Sequence, residues 1–219
     1  MVRFIVISPY LCPVMKNQQL QETFGNIDIY LFDQILKGTY DDCRVILDAG
    51  CGTGRNLTYF LQSGVQVFGV DQNPEAISQL SSYAGTFGQA IPEENFRVAA
   101  VEELPFEKET FDLVISSAVL HFAENQKHFE AMLNSMWAVL NPGGYFFCRL
   151  ASDIGIESLV SSIGNGRYLL PDGSERFLVN QELLLRLSNE LSGELYEPIK
   201  TTNVQNLRSM TTWCLRKSN

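Results

Sequence analysis

The chain has 219 residues, 45% of them hydrophobic, which is enough apolar material for one sizeable core and makes a single domain the default. It carries 16 Lys and Arg against 25 Asp and Glu, a formal net charge of −9, with no basic run. That balance argues against nucleic acid as the main partner, because neutralising phosphates takes clustered cations, and it fits an enzyme acting on a small molecule. The five cysteines, Cys12, Cys43, Cys51, Cys148 and Cys214, are scattered and show no metal-ligand spacing. They read as reduced thiols of a cytoplasmic protein, and no metal is expected. The opening stretch, Met1–Pro9, is apolar over too few residues for a signal peptide or a membrane span.

Along the chain, residues 1–40 read as a tail followed by one helix over Phe24–Gly38. Ile27, Leu31 and Ile35 recur at helical spacing, and Lys37-Gly38 is a stop signal. A short buried strand is predicted over Arg44–Asp48, then a glycine-rich turn, then a helix from about Gly54 to Gln62 with Leu57, Phe60 and Leu61 on its apolar face. The helix and its positive dipole end are expected to point into the space beside the glycines. A second strand follows over Val65–Val70, closed by Asp71. Asn73-Pro74-Glu75 opens the next helix as N-cap, first-turn proline and first-turn acid. Residues 85–95 read as a loop, Phe96–Ala100 as strand three and Phe111–Ser116 as strand four. Phe129, Met132, Leu133, Met136, Val139 and Leu140 form one helix face behind the N-cap candidate Asn125. His128 is expected to be exposed on that helix. Strand five is predicted over Tyr145–Leu150.

Residues 151–180 read as an insertion built on a hairpin around Pro171-Asp172-Gly173. It is either a specificity element over the site or a packing decoration. Asn180 then caps a helix carrying Leu183, Leu184, Leu187 and Leu191, and a terminal strand pair follows over Leu195–Val204 and Met210–Arg216. The polar link Thr201–Arg208 is either a solvated hairpin end or a wall of an acceptor pocket.

The chemistry concentrates at Asp48-x-Gly50-x-Gly52-x-Gly54. Glycine there serves a tight turn and lets a ligand approach the backbone where no Cβ intervenes. Asp71, at the tip of the second strand of a βαβ unit, suits a ribose diol, because a carboxylate accepts from both hydroxyls. An adenosine-type ligand across the carboxyl ends of the strands follows from the two together. A dinucleotide site prefers G-x-G-x-x-G, and its third glycine falls here on Arg55. Asp48 also sits badly beside a pyrophosphate and well beside an ammonium.

The Asp48–Gly54 spacing resembles the cofactor motif of class I (Rossmann-like) S-adenosylmethionine-dependent methyltransferases of the small-molecule type. Further resemblances are Glu102-Glu103-Leu104-Pro105-Phe106 before Phe111-Asp112-Leu113-Val114, then Val119-Leu120-His121-Phe122, and the Leu140–Gly144 turn. Together they cover about residues 40–150. Two departures stand out: Ala100 replaces the acid often found at the end of strand three, and Phe122 replaces a second His. The resemblance implies an α/β fold, a doubly wound, mostly parallel seven-stranded sheet with an antiparallel last strand and helices on both faces. It also implies a single domain over 1–219: tail and lid helix (1–40), cofactor-binding core (41–150), insertion (151–180), and helix with terminal strand pair (181–219).

It implies S-adenosylmethionine as cofactor, with S-adenosylhomocysteine as product. Asp48, Gly50, Cys51, Gly52, Gly54, Asp71, Gln72, Glu102 and Ser116 are the candidate contacts. Tyr30, with Phe24, is either a lid contact to the ligands or a packed core aromatic. His121 is either a general base near the transferred methyl or a locally bonded imidazole. Arg149, Ser152 and Asp153 are placed to face an acceptor. A non-catalytic S-adenosylmethionine binder shares every one of these signals, and an NAD-dependent oxidoreductase is disfavoured by the glycine spacing. The oligomeric state is not indicated.

Overall fold

The computed structural model describes residues 17–88 and 91–219. The readings on Met1–Pro9 and Cys12 lie outside the described residues. Two short helices, α1 (Asn17–Phe24) and α2 (Ile29–Leu36), precede the core. They replace the single helix expected over Phe24–Gly38. Gly25 at φ 59° breaks the run, and a Cβ there would approach Thr58 Oγ1 to 2.7 Å. Asp28 then restarts the chain as N-cap of α2, accepting from the Tyr30 N–H.

The core alternates strand and helix: β1 (Val45–Ala49), α3 (Thr58–Ser63), β2 (Gln66–Asp71), α4 (Pro74–Gly85), β3 (Phe96–Val98), β4 (Phe111–Ser117), α5 (Gln126–Val139) and β5 (Leu140–Ser152). Three strands, β6 (Ser161–Gly164), β7 (Arg167–Leu169) and β8 (Glu175–Phe177), make a small antiparallel sheet. The β7–β8 hairpin is the one expected around Pro171-Asp172-Gly173. β6 was not anticipated, since Ser161-Ser162-Ile163-Gly164 is fully exposed and has no alternation to read. The chain closes with α6 (Gln181–Glu190), β9 (Gly193–Leu195), β10 (Lys200–Val204) and β11 (Arg208–Lys217). The predicted strand over Leu195–Val204 is thus two strands, β9 and β10, both paired antiparallel to β11. The break holds Pro198, which has no N–H for a ladder.

The main sheet has eight strands rather than the expected seven, running β10-β11-β5-β4-β1-β2-β3 with β9 added on β11. β1 to β5 pair in parallel, and β11 lies antiparallel to β5. Apolar clusters fill both faces. Phe146 of β5 packs on one side with Phe129, Met136 and Trp213, and its neighbour Phe147 on the other with Leu31, Phe60 and Leu80, the two-residue period of a strand covered on both faces. Because β1 pairs with both β2 and β4, the strand order reverses there, which opens a crevice at the carboxyl edge of the sheet.

Candidate functional site

The crevice is built first by the glycine turn. Gly50, Gly52 and Gly54 hold φ of 81°, 52° and 86°, the left-handed region that a side chain disfavours. A Cβ on Gly50 would come to 2.4 Å from Val119, and one on Gly54 to 2.4 Å from Leu80. Beside Gly52 the space is open. The Gly50 and Cys51 N–H groups both donate to the Val70 carbonyl, tying the turn to β2. The Cys51 side chain is buried against Gly69, which leaves only its backbone toward the crevice. The left-handed Gly54 also delays the helix: α3 starts at Thr58 rather than near Gly54, so its N-terminus is not at the glycines as expected. Asp71 instead fastens the turn from the end of β2. Its Oδ2 accepts from the Gly52 N–H and its Oδ1 from the Asn73 N–H, each at 2.9 Å.

Asp48 lies at the end of β1, 1% exposed, and neither carboxylate oxygen has a partner in good hydrogen-bond geometry, the nearest polar side chain being Asn56. Burial raises its pKa to about 7, against the opposing pull of the Arg55 guanidinium. A second buried acid, Asp28, is a site feature that pattern reading missed. Its Oδ2 accepts from Arg149 Nη1 and from Ser117 Oγ, each at 3.1 Å, and lies 3.9 Å from Arg55. Arg55 in turn donates to Ser117 at 2.8 Å. No periodicity marks Asp28; the signal available was an Asx residue two positions before Tyr30, which is also an N-cap signal.

Two cavities open along this edge. The first, about 410 Å³, is walled by Gly50, Asp71, Gln72, Glu102 and the backbone-rich run Ala99–Val101, with Val119, Phe122 and Met132 opposite. His128 lines it too, half-buried rather than exposed as expected. The N-cap Asn125 sets the first turn of α5 here, with His128 Nδ1 accepting from the Glu124 N–H and Nε2 standing 3.4 Å from Glu102. The second cavity, about 280 Å³, is lined by Arg55, His121, Arg149, Asp172, Arg176 and Arg208 over an apolar floor that includes Ala151, Leu170 and Met210. Both cavities share Ala118, held at φ 65° by an N–H donated to the Arg149 carbonyl at 2.7 Å. The insertion (Leu170, Asp172, Arg176) and the β10–β11 link (Val204, Arg208) therefore both wall the second cavity.

His121 is buried, and its Nδ1 accepts from the Ala151 N–H at 3.2 Å, so the ring proton resides on Nε2. Burial, then the Arg176 and Arg149 charges, lower its pKa to about 4. Tyr30 packs under the Arg149 guanidinium, 5.3 Å from ring centre to charge, and bonds Thr202. Of the expected residues, Gly50, Asp71, Gln72, Glu102, His121 and Arg149 line the cavities, whereas Phe24, Tyr30, Asp48, Cys51, Gly52, Gly54, Ser116, Ser152 and Asp153 do not. Phe24 packs on Phe32 and Tyr59 because α1 ends there. Ser152 is fully buried and bonds Thr211 across the β5–β11 pair at 2.6 Å. Asp153 lines neither cavity, and its N–H donates to the Val179 carbonyl. Ser116 is fully buried opposite Cys148 in the β4–β5 register, with its hydroxyl unpartnered.

Among the described residues, no group of three or more His, Cys, Asp or Glu could hold a metal, and no helix is long and apolar enough to cross a membrane. Cys43, Cys51, Cys148 and Cys214 are buried free thiols.

Residues 47–148 match the family described as "Methyltransferase domain". An uncharacterized methyltransferase of Synechocystis sp. is 32% identical over 101 residues, 46% of this chain and 44% of the relative. A tRNA U34 carboxymethyltransferase of Cellvibrio japonicus is 30% identical over 139 residues, 63% of this chain and 39% of the relative. The chain thus spans less than half the length of both. Among solved structures, a 1,6-didemethyltoxoflavin-N1-methyltransferase of Burkholderia thailandensis, with bound 1,6-didemethyltoxoflavin and S-adenosylhomocysteine, superposes with a TM-score of 0.61 at 21% identity, covering 85% of this chain and 76% of that one. The β1–β4 switch point and the Asp48–Gly54 turn fall in the matched stretch, so residues 47–148 form a methyltransferase domain with the fold of class I, S-adenosylmethionine-dependent enzymes.

Proposed function

We propose that this chain methylates a small-molecule acceptor, with S-adenosylmethionine as methyl donor. The observation that carries the reading is the pair of cavities that meet at Ala118, one walled by Asp71, Gln72 and Glu102, the other by His121 and Arg149. The residues present fit the cofactor. Asp71 keeps lone pairs free for ribose hydroxyls, and Gln72 and Glu102 flank the adenosine. The two buried oxygens of Asp48 suit the ammonium. The backbone of Gly50, Cys51, Gly52, Gly54 and Ser116 frames the methionine end, where the open space at Gly52 admits a ligand.

The cofactor supplies a methyl already made electrophilic by its sulfonium. What the chain adds is alignment, for which a well-oriented pair gains up to about 7–11 kcal/mol. We read His121 as a donor through Nε2–H that orients the acceptor. A nitrogen already bonded to Ala151, on a ring of pKa about 4, makes a poor base. A cavity of about 280 Å³ suits a small acceptor rather than a tRNA, and the net charge of −9 supports the same choice.

The test is titration calorimetry with S-adenosylmethionine, S-adenosylhomocysteine and NAD in parallel, repeated with Asp71→Ala. The first two bind and NAD does not, and Asp71→Ala weakens both by at least about tenfold, or roughly 1.4 kcal/mol. Binding of NAD alone overturns the reading. An unchanged dissociation constant in a folded Asp71→Ala variant removes the ribose assignment.

A further inference from the structure

The second cavity gathers positive charge in a chain that is otherwise acidic. Four of its 16 Lys and Arg, Arg55, Arg149, Arg176 and Arg208, line one space of about 280 Å³. They come from four separate places: the glycine turn, β5, β8 and the first residue of β11. Two carboxylates answer them. Asp28 serves both Arg149, at 3.1 Å, and Arg55, at 3.9 Å, while Asp172 reaches Arg208 only at 4.0 Å. Arg176 has no carboxylate within ion-pair distance among the described residues; it donates to the Glu175 carbonyl and lies 5.0 Å over the Phe122 ring. The cavity therefore holds an excess of guanidinium charge above an apolar floor.

The same field registers on two neighbours. After burial, the charges of Arg176 and Arg149 lower the His121 pKa, and Arg208 and Arg176 add to the lowering of Asp172 that its bonds to Ser174 begin. Guanidiniums collected against apolar surface favour a carboxylate or phosphate whose oxygens take paired N–H donors.

We propose that the acceptor is a small anion, an organic carboxylate or phosphate on a short apolar skeleton, whose charged group is held by Arg176 and Arg208 with Arg149 behind them. The His121 Nε2–H adds a neutral donor to the same wall. Anchored at the insertion, such a molecule extends along Leu170 and Met210 and turns its nucleophile toward Ala118, the residue shared with the other cavity. That direction rests on the methyltransferase reading; the anion site itself does not.

The experiment titrates the full chain, loaded with S-adenosylhomocysteine, with malonate, benzoate, inorganic phosphate and phenyl phosphate. Malonamide and benzamide serve as neutral counterparts, and a short single-stranded RNA as a macromolecular anion. At least one small anion binds at least about tenfold more tightly than the neutral compounds, and Arg176→Gln and Arg208→Gln each weaken it by at least about tenfold while the melting temperature and S-adenosylhomocysteine affinity hold. The tighter of the carboxylate and phosphate arms names the head group. Equal binding of malonamide and malonate, binding indifferent to both substitutions, or no binding of any small anion overturns the proposal. So does RNA binding that exceeds every small anion and is lost in the same variants. Anion binding in a chain that fails to bind S-adenosylhomocysteine keeps this site and removes the methyltransferase reading instead.

Discussion

Asp48 and His121 are both buried, and burial pushes them in opposite directions: the carboxyl rises to about 7 and the imidazole falls to about 4. For Asp48 the folded chain without ligand binds more protons than the unfolded chain between about pH 4 and pH 7, so its contribution to stability falls as pH rises through that window. An ammonium beside it reverses the preference and favours the carboxylate. The affinity for S-adenosylhomocysteine should therefore drop about fivefold between pH 7 and pH 6, and Asp48→Asn should raise the stability of the ligand-free chain at pH 8 while weakening binding. Calorimetry across pH 5.5–7.5 checks the first, and a flat profile would remove Asp48 from the ammonium. For His121 the unfolded ring protonates near the ordinary value of about 6.5 and the folded ring near 4, so its share of stability is complete above 6.5 and is lost as pH falls through 4. With only two histidines in the chain, ring NMR resolves it. The His121 signals should stay in the neutral form down to about pH 5, and a midpoint near 6.5 would show an imidazole in contact with water.

At the scale of elements, α2 is held by its N-cap as well as by its apolar stripe, Ile27, Leu31 and Ile35, which packs on the core. Leu31 is fully buried, but Ile29 and Leu36 are 63% and 67% exposed. Asp28 caps the helix and joins it to Arg149 on β5 and Ser117 on β4. Removing one partner of a buried ion pair strands the other, a larger loss than either cap or pair alone suggests. Asp28→Ala should cost about 3 kcal/mol in urea unfolding, and Asp28→Asn clearly less because it retains the cap. Equal losses for the two variants would mean that the charge, not the cap, holds the helix. The spacing of Ile27, Leu31 and Ile35 was legible as helix, but the break at Gly25 was not, because its cause is Thr58, a contact 33 positions away. The N-caps Asn73, Asn125 and Asn180 are all where the sequence places them, since capping is a local bargain between a side chain and its own backbone.

At the scale of the molecule, the ligands are expected to couple to global stability. Two cavities at one sheet edge, with uncompensated groups in both, make the ligand-free chain less stable than the loaded one. At a hundredfold excess over its dissociation constant, S-adenosylhomocysteine should add about 2.7 kcal/mol, which for a chain of this size corresponds to a melting shift of about 5–11 °C. Differential scanning calorimetry measures it, and NAD at the same concentration should leave the melting point unchanged. A shift with NAD equal to that with S-adenosylhomocysteine would mean that the crevice reads only adenosine.

The sequence alone determined the order of strands and helices from β1 to β5, the glycine turn, the acid at the tip of β2 and the cofactor class, because each depends on residues close together in the chain and on turn chemistry that reads locally. Tertiary structure alone decided the rest. It brought Asp28 to Arg149 across 121 positions, aimed Arg176 and Arg208 into one space, put His128 at a cavity wall, and turned His121 Nδ1 onto Ala151. The second cavity is assembled from five separate segments folded over the sheet edge, and the first from the turns after β1, β2, β3 and β4 together with α5, so no single stretch of sequence contains either.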